Sequence, residues 1–411
     1  MQSKKNKILN DPVYGFVNLS SGIFFDIIEH PYFQRLRRIR QLGLTYLVYP
    51  GAIHNRFQHA IGAAHLMQNA IEVIRSKGHE ITDDEAEAVM IAILLHDIGH
   101  GPFSHALENS IVHNITHEDI SLIIMSELNQ QFNGALSLAI KIFQDTYHKR
   151  FLHQLVSSQL DMDRLDYLQR DSFFTGVSEG VIGSERIIKM LDVVNDNLVV
   201  EAKGIYSIEN YLIARRLMYW QVYLHKTVLS SEQLLVKILK RAKQLALKGD
   251  ILFATPALSY FLYNKVTKES FLSKPNSIHY FAKLDDYDIL ASIKAWADHD
   301  DFILSDLCKR LTNRNLFRIE LQEKPFDKEK INTLKNKVIA EFKIPAKDAE
   351  FFVFSDSIIN SAYSSKDENI NILYNTGKLT DIALASDMLN TSVLSKKVKK
   401  YFLCYPKQFR I

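Results

Sequence analysis

The stretch 92-AILLHDIGHGPFSHALE-108 decides how this 411-residue sequence is interpreted. An apolar run from residue 88 to 95 ends at His96 and Asp97, and Gly101 with Pro102 then breaks the helical pattern. Histidine is a poor helix former, yet three histidines fall within ten residues of the helix end. We therefore expect a buried helix that delivers polar groups to a site inside the protein.

The composition is that of an ordinary globular protein, with 47% hydrophobic and 24% charged residues and a formal net charge of +3. Cys308 and Cys404 are too few for a disulfide framework or a cysteine-rich zinc site and agree with a reducing compartment. The N-terminus lacks the apolar segment of a signal peptide, and no apolar run approaches the roughly 20 residues that span a bilayer. We therefore predict a cytoplasmic protein without a membrane partner.

Hydrophobic spacing predicts a mainly α protein. Helical patterns cover residues 59–78, 83–99 and 157–176, and the run 210–246 fits one long helix or two. Short alternating runs at 15–20 and 195–208 predict small hairpins.

The pattern changes in the last third of the chain. Strands are predicted at 316–322, 350–356 and 369–375, and the Lys/Glu-rich segment 322–349 is interpreted as a solvated helix. With breaks at Gly249 and Pro256, we predict a helical core over 1–245 and a smaller α+β C-terminal lobe over 246–411.

Four polar residues on separate predicted helices form a candidate metal site. These are His59, His96, Asp97 and Asp163. Two imidazoles and two carboxylates suit a divalent ion such as Mn, Mg, Fe, Ni or Zn. Taken singly, His96–Asp97 could be a capping pair and His59 a core histidine. Their apolar neighbours imply burial, and a metal would neutralise buried carboxylates, so together they favour a metal site.

Four successive motifs carry a resemblance to a known family. The motifs 54-HNRFQHAIG-62, 94-LLHDIGHGPFSHALE-108, 116-THEDIS-121 and 162-MDRLDYLQRDSFFTGV-177 resemble those of HD-domain phosphohydrolases, within them the deoxynucleoside triphosphate (dNTP) triphosphohydrolase branch. The resemblance runs from about residue 6 to about residue 230. It implies an HD-domain helical core, the same four metal ligands, and hydrolysis of a dNTP to a deoxynucleoside and inorganic triphosphate.

The resemblance also implies catalytic roles. His100, His105 and His117 are expected along the phosphate path, with His105 protonating the leaving 5′-oxygen. Glu108, one helical turn after His105, would orient that imidazole, and His117 with Glu118 would form a second acid–base pair. The alternative for both glutamates is an exposed helix charge.

Substrate contacts are implied at seven further positions. Arg56, Arg164, Tyr167 and Arg215 match phosphate contacts, which suit forked guanidinium groups. Gln41 and Asp171 resemble the pair that binds the sugar 3′-hydroxyl, and Tyr223 resembles the aromatic that excludes a 2′-hydroxyl. The alternatives are a surface salt bridge for Arg215 and core packing for Tyr223.

A regulatory guanine-nucleotide site is implied near the N-terminus. The matching positions are Lys7, Asn10, Glu29, Gln34, Arg37, His225 and Lys226. The activator would be GTP or dGTP, and the resemblance implies a homo-oligomer, a dimer or tetramer. Vertebrate members have Asp where this chain has Glu29. The alternative is that 34-QRLRRIR-40 is a basic face for packing or subunit contact.

Two other functions stay open. The first is an HD phosphatase or phosphodiesterase acting on other nucleotides, against which Gln41, Tyr167, Asp171 and Tyr223 argue. The second is a nucleic-acid or nucleotide-binding regulator with a vestigial HD site. The complete ligand set argues against it, although the basic 34–40 segment keeps nucleic-acid binding open.

Overall fold

A computed structural model describes residues 7–19, 22–103, 112–113, 115–273, 275–360, 369–386 and 398–410, and it confirms the predicted mainly α fold with a strand-containing C-terminal part. The described helices are α1 (Ile23–Glu29), α2 (Pro31–Gln34), α3 (Arg56–Ser76), α4 (Asp83–Leu95), α5 (His117–Gln131), α6 (Ser137–Phe143), α7 (Arg150–Val156), α8 (Met162–Thr175), α9 (Ser184–Lys189), α10 (Ile205–Met218), α11 (Lys226–Lys248), α12 (Pro256–Tyr263), α13 (Lys268–Ser273), α14 (Pro275–Phe281), α15 (Asp286–Trp296), α16 (Phe302–Thr312), α17 (Lys328–Phe342) and α18 (Ile382–Ala385). None of the described helices is both long and apolar enough to cross a membrane.

The strands form four small sheets. They are β1 (Lys7–Asp11), β2 (Gly15–Leu19), β3 (Val112–His113), β4 (Leu191–Val194), β5 (Asn197–Glu201), β6 (Val266–Thr267), β7 (Arg318–Gln322), β8 (Phe354–Asn360), β9 (Asn371–Leu373), β10 (Leu379–Asp381) and β11 (Val398–Tyr405). β1 and β2 form an antiparallel hairpin, β3 pairs in parallel with β6, and β7-β11-β8 is an antiparallel sheet. The fourth sheet has the order β10-β9-β5-β4.

The predicted helices and hairpins are confirmed with two refinements. The strand predicted at 350–356 begins only at Phe354, because a 3₁₀ helix covers Ala346–Phe351. The predicted hairpin at 195–208 is the β4–β5 pair, but its second strand ends at Glu201 because α10 begins at Ile205. The run 210–246 is two helices, since a π-helical turn at Tyr219–Tyr223 separates α10 from α11. Helix α11 ends at Lys248, and the next residue, Gly249, caps it in the left-handed conformation with φ 100°. The division into lobes at residue 245 stays a prediction, and β9 shares a sheet with β5 across it.

Helix α3 packs against both α4 and α8. The predicted metal ligands lie on α3, directly after the end of α4, and on α8. Capping boxes start α3 at Asn55 and α4 at Thr82, so the N-terminal N–H groups of both helices have partners inside the protein. α4 is apolar on almost all faces because it is the central helix. The ends of these helices are therefore held by their own sequence as well as by packing.

Two hydrogen bonds to Ser121 on α5 hold the turn that follows α4. Ser121 Oγ donates to the His96 carbonyl and accepts from the Gly99 N–H, both at 2.9 Å. A Cβ at Gly99 would lie 2.1 Å from the carbonyl oxygen of His117. Only glycine therefore allows the turn to approach the start of α5, which brings His117 beside His100.

Candidate active site

The predicted ligands His59, His96 and Asp163 lie together at the centre of the helical core. Nε2 of His59 and Nε2 of His96 are 3.3 Å apart, and Asp163 Oδ1 is 3.1 Å from the first and 3.4 Å from the second. One ligand atom from each of the three residues lies within 4.8 Å of the others. The fourth predicted ligand, Asp97, is adjacent, with Oδ1 3.4 Å from His96 Nε2.

Both imidazoles are oriented so that Nε2 faces the cluster. His59 Nδ1 lies 2.7 Å from Asp166 Oδ2, and His96 Nδ1 donates to the Ile93 carbonyl at 2.6 Å. Nδ1 therefore carries a proton in both rings, and the two Nε2 atoms face each other and the Asp163 carboxylate. A proton or a metal cation between these atoms is favourable. The residues thus fit a divalent ion bound by mixed nitrogen and oxygen ligands.

The charges of the cluster agree with a site for positive charge. Burial alone would lower the pKa of His59, but hydrogen bonds with Asp163 and Asp166 raise it to about 10. Burial alone would raise the pKa of Asp163, but His96 and His59 hold it well below its usual range. The cluster therefore keeps its carboxylates ionised and stabilises a cation at its centre.

Asp97 connects this cluster to two residues predicted to contact substrate. Its carboxylate forms a buried ion pair with Arg56 and lies 3.1 Å from His100 Nε2. Burial and the nearby Arg56 guanidinium lower the pKa of His100 to about 3, so that imidazole is neutral at pH 7. A neutral His100 beside Arg56 is able to accept or donate a hydrogen bond without adding charge.

The other predicted catalytic residues extend from His100. The rings of His100 and His117 stack with centroids 3.9 Å apart, and His117 Nε2 lies 3.1 Å from Glu118 Oε1. His105 and Glu108 lie outside the described residues. The proposed acid–base pairing of His105 and Glu108 stays a prediction.

Three of the four predicted phosphate contacts lie on α8 and on α10, which packs against it. Arg164 and Tyr167, at i and i+3, lie on one face of α8, and Arg164 pairs with the buried Asp161. Arg215 Nη1 donates to Gln159 Oε1 at 3.0 Å. Its Nε is buried and has no hydrogen-bond partner among the described residues. Arg215 is therefore not the surface salt bridge considered as its alternative.

The predicted sugar-binding residues meet at Asp171, two turns along α8 from Asp163. Tyr223 donates its hydroxyl to Asp171 Oδ2 at 2.7 Å. His54, which the sequence analysis missed, lies with Nε2 2.7 Å from Asp171 Oδ1 and stacks on Phe174. Gln41 donates its backbone N–H to the His54 carbonyl, and its buried Oε1 has no partner within the described part of the chain. This acceptor is available to a ligand hydroxyl.

Two of the predicted regulatory residues, Lys7 and Glu29, are more exposed than the predicted metal ligands. Lys7 Nζ lies 3.6 Å from Glu29 Oε1, and more than half of each side chain is exposed. Gln34 Oε1 accepts a 2.8 Å hydrogen bond from Arg37.

The remaining regulatory positions lie on other elements. Asn10 lies on β1 opposite Phe16. His225 caps α11 by accepting the Thr227 N–H, and the next residue, Lys226, is exposed.

A second layer of charges was missed by the sequence analysis. Asp166 contacts His59, and Arg170 donates two hydrogen bonds to the Asp166 carboxylate. Arg170 donates a third to Asp11, which lies in the N-terminal hairpin. The available signal was the spacing in 162-MDRLDYLQRD-171, where Asp166 follows the ligand Asp163 by three and precedes Arg170 by four. That spacing places all three on neighbouring helical faces.

Comparisons with known proteins recognise an HD domain in this chain. The HD domain model matches residues 56–171, and the HD associated region matches residues 182–252. A crystal structure of a phosphohydrolase from Bacteroides thetaiotaomicron superposes with a TM-score of 0.95 at 56% identity, over 98% of this chain and 100% of that chain.

Sequence relatives extend the likeness. An uncharacterized protein of Bacillus subtilis, YwfO, is 35% identical over 98% of this chain and 93% of its own length. A Dictyostelium discoideum homologue of the deoxynucleoside triphosphate triphosphohydrolase SAMHD1 is 32% identical, over 59% of this chain and 50% of its own length. The chain belongs to the HD-domain phosphohydrolase family.

Proposed function

We propose that this hydrolase converts a dNTP and water to a deoxynucleoside and inorganic triphosphate. The observation that carries the proposal is the polar set around Asp171, on the same helix as the ligand Asp163. Asp171 and Gln41 Oε1, which has no partner among the described residues, offer acceptors to a sugar hydroxyl, and Tyr223 contacts Asp171. The likeness to the Dictyostelium SAMHD1 homologue supports the same substrate class.

His59, His96 and Asp163, with Asp97 beside them, would hold a divalent ion. The chemistry that such an ion supplies when bound is polarisation of a phosphoryl oxygen and activation of water. In the reaction a bond forms between the water oxygen and the α-phosphorus, and the bond from the α-phosphorus to the 5′-oxygen breaks. The 5′-oxygen takes up a proton, for which we propose His105 as donor.

The protein's own charges would position the triphosphate. Arg56, Arg164 and Arg215 are mostly buried, carry permanent positive charge and would contact the phosphates. Burial and the neighbouring Tyr219 raise the pKa of Tyr167 well above its usual range, so its hydroxyl stays a donor. These groups bind phosphate oxygens and leave the α-phosphorus beside the ligand cluster.

The Tyr223 ring would give the preference for deoxyribose. Its hydroxyl is tied to Asp171, which limits the positions that the ring can take. A ring held in this way beside the sugar would clash with a 2′-hydroxyl. The same contact would orient Asp171 toward the 3′-hydroxyl.

We propose in addition that a guanine nucleotide activates the enzyme at the surface formed by Lys7, Asn10, Glu29, Gln34 and Arg37, with His225 and Lys226 contacting a further phosphate. A carboxylate such as Glu29 accepts hydrogen bonds from the two guanine donors N1 and N2, and Lys7 and Arg37 supply positive charge. Assembly as a dimer or tetramer is part of this proposal.

The test is a product analysis with each dNTP and its ribonucleotide counterpart, with Mn²⁺, Mg²⁺, Fe²⁺, Ni²⁺ or Zn²⁺ and with or without GTP. Chromatography should show deoxynucleoside and triphosphate in equal amounts. In ¹⁸O-labelled water the label should enter the triphosphate and not the 5′-hydroxyl. Formation of dNMP with pyrophosphate, or stepwise phosphate release, would contradict the reaction. Equal rates with and without GTP would contradict activation.

A further inference from the structure

An unbroken chain of buried charges runs from the metal-ligand cluster to the N-terminal hairpin. His59 Nδ1 contacts Asp166 Oδ2 at 2.7 Å, and Arg170 donates to both Asp166 oxygens at 2.9 Å. The third nitrogen of the same guanidinium, Nη1, donates to Asp11 Oδ2 at 2.8 Å. The side chains of His59, Asp166 and Arg170 are 0% exposed and that of Asp11 is 4% exposed.

Asp11 is fixed in the hairpin at the other end of this chain. Its Oδ1 accepts the backbone N–H groups of Val13 and Tyr14 at 2.9 and 3.1 Å, which forms the turn between β1 and β2. The backbone of the hairpin turn therefore fixes the position of the Asp11 carboxylate beside Arg170.

Close packing leaves the chain little freedom to adjust. A Cβ at Gly62 on α3 would lie 2.0 Å from Asp166 Oδ1 and 2.1 Å from Arg170 Nη2. The glycine thus lets α3, which carries His59, close directly onto the Asp166–Arg170 pair. A shift of Arg170 would displace Asp166, and Asp166 is the group that orients the His59 imidazole.

We propose that Asp11 is a positioning residue for the metal site: through Arg170 and Asp166 it orients His59, and the β1–β2 hairpin is thereby energetically coupled to metal binding. The inference rests on the metal site of the proposed function but not on the identity of the substrate. By reciprocity, whatever orders the hairpin strengthens metal binding, and metal binding orders the hairpin. Lys7 and Asn10, proposed to contact the activator, lie on the same strand as Asp11, four residues and one residue before it.

The first test measures Mn²⁺ affinity by calorimetry on chelator-treated full-length protein, together with its thermal unfolding temperature. Asp11→Asn keeps an oxygen for the turn but removes the charge that faces Arg170. Because Asp11 acts one step beyond the direct partner of His59, we expect a loss of affinity of about three- to tenfold, below the 10–100-fold typical of a direct partner.

Asp301→Asn is the matched control. Asp301 also combines a capping role, accepting the Leu304 N–H, with a forked pair to Arg241, but on α16, which carries none of the predicted metal ligands. We expect Asp301→Asn to lower the unfolding temperature and leave Mn²⁺ affinity unchanged. If Asp11→Asn does the same, Asp11 is only a structural tie and the inference is wrong. If the wild-type protein binds no divalent ion, both this inference and the proposed metal-dependent function are wrong.

A second measurement needs no variant, in case Asp11→Asn fails to fold. Hydrogen–deuterium exchange of the wild-type protein is compared with and without Mn²⁺. The coupling predicts slower exchange of the β1–β2 amides on metal binding, with no change in the β7–β11 pair. Protection confined to α3, α4 and α8, with the hairpin unchanged, would overturn the proposal.

Discussion

The metal-ligand cluster and the proposed nucleotide surface differ in how firmly their side chains are held. At the cluster, His59 and Asp166 are 0% exposed, and His59 Nδ1 lies 2.7 Å from Asp166 Oδ2. At the surface, Lys7 is 55% and Glu29 is 59% exposed, and they are 3.6 Å apart. Buried charges need a complete set of partners, whereas an exposed ion pair contributes little. The fold thus determines the arrangement of the cluster, whereas the arrangement of the proposed nucleotide surface would depend on a ligand.

The largest effect is expected from His96→Ala. The variant should lose saturable Mn²⁺ binding and hydrolysis together, because one of two facing imidazoles is gone. In wild-type protein, Mn²⁺ at about 100 times its Kd should stabilise the fold by about 2.7 kcal/mol. The variant should show no such rise in unfolding temperature. His79→Ala, which removes another His–Asp pair, is the control and should behave as wild type. Full turnover by His96→Ala would refute the assignment of the active site.

A smaller effect is expected from Asp166→Asn, which keeps the shape of the side chain but removes the charge between His59 and Arg170. Metal affinity should fall about 10–100-fold. Unfolding free energy should fall by about 3–5 kcal/mol, since Arg170 is left buried without its main partner. The control is Asp306→Asn, which breaks the helical Asp–Arg pair with Arg310 and should leave metal affinity intact. Equal metal affinities in Asp166→Asn and Asp306→Asn would show that the charge of Asp166 does not act on the metal-ligand cluster.

Tyr223→Phe should have a still smaller effect. It removes the hydrogen bond to Asp171 and keeps the ring, so kcat/KM for dNTPs should fall about two- to tenfold while ribonucleotides stay excluded. Tyr223→Leu should narrow the difference between dNTP and NTP rates. Tyr147→Phe, which removes a similar hydrogen bond to Glu85, is the control for loss of stability. Unchanged sugar preference in the leucine variant would show that another group excludes the 2′-hydroxyl.

The smallest structural effect is expected at the nucleotide surface. Glu29→Ala should change the unfolding free energy by less than about 0.5 kcal/mol, because the side chain is exposed and weakly paired. The ratio of GTP-stimulated to unstimulated hydrolysis should nevertheless fall toward one. Glu72→Ala, at an exposed position on α3, should keep the wild-type ratio. If Glu29→Ala is stimulated as strongly as wild type, guanine is recognised elsewhere.

Residues on regular helices were the most predictable part of the site. The ligands His59, His96 and Asp163 could be named because each sits in or directly after a predicted helical segment with apolar neighbours, and the structure brings them together. His54 was missed because it precedes α3 in an irregular segment, and its contact with Asp171 joins residues far apart in the chain. Asp11 was missed for the same reason, since its partner Arg170 lies on another element.

The sequence by itself determined the helical class, the family and the types of side chain at the site, because periodicity and motif spacing are local properties of the chain. Only the tertiary structure decided which nitrogen of each histidine faces the cluster and that Gln41 Oε1 has no partner among the described residues. It also decided that a carboxylate of the N-terminal hairpin reaches the partners of the metal ligands. These features depend on how α3 packs against α4, α8 and the β1–β2 hairpin. Burial then requires each charge in that layer to find a partner across the fold.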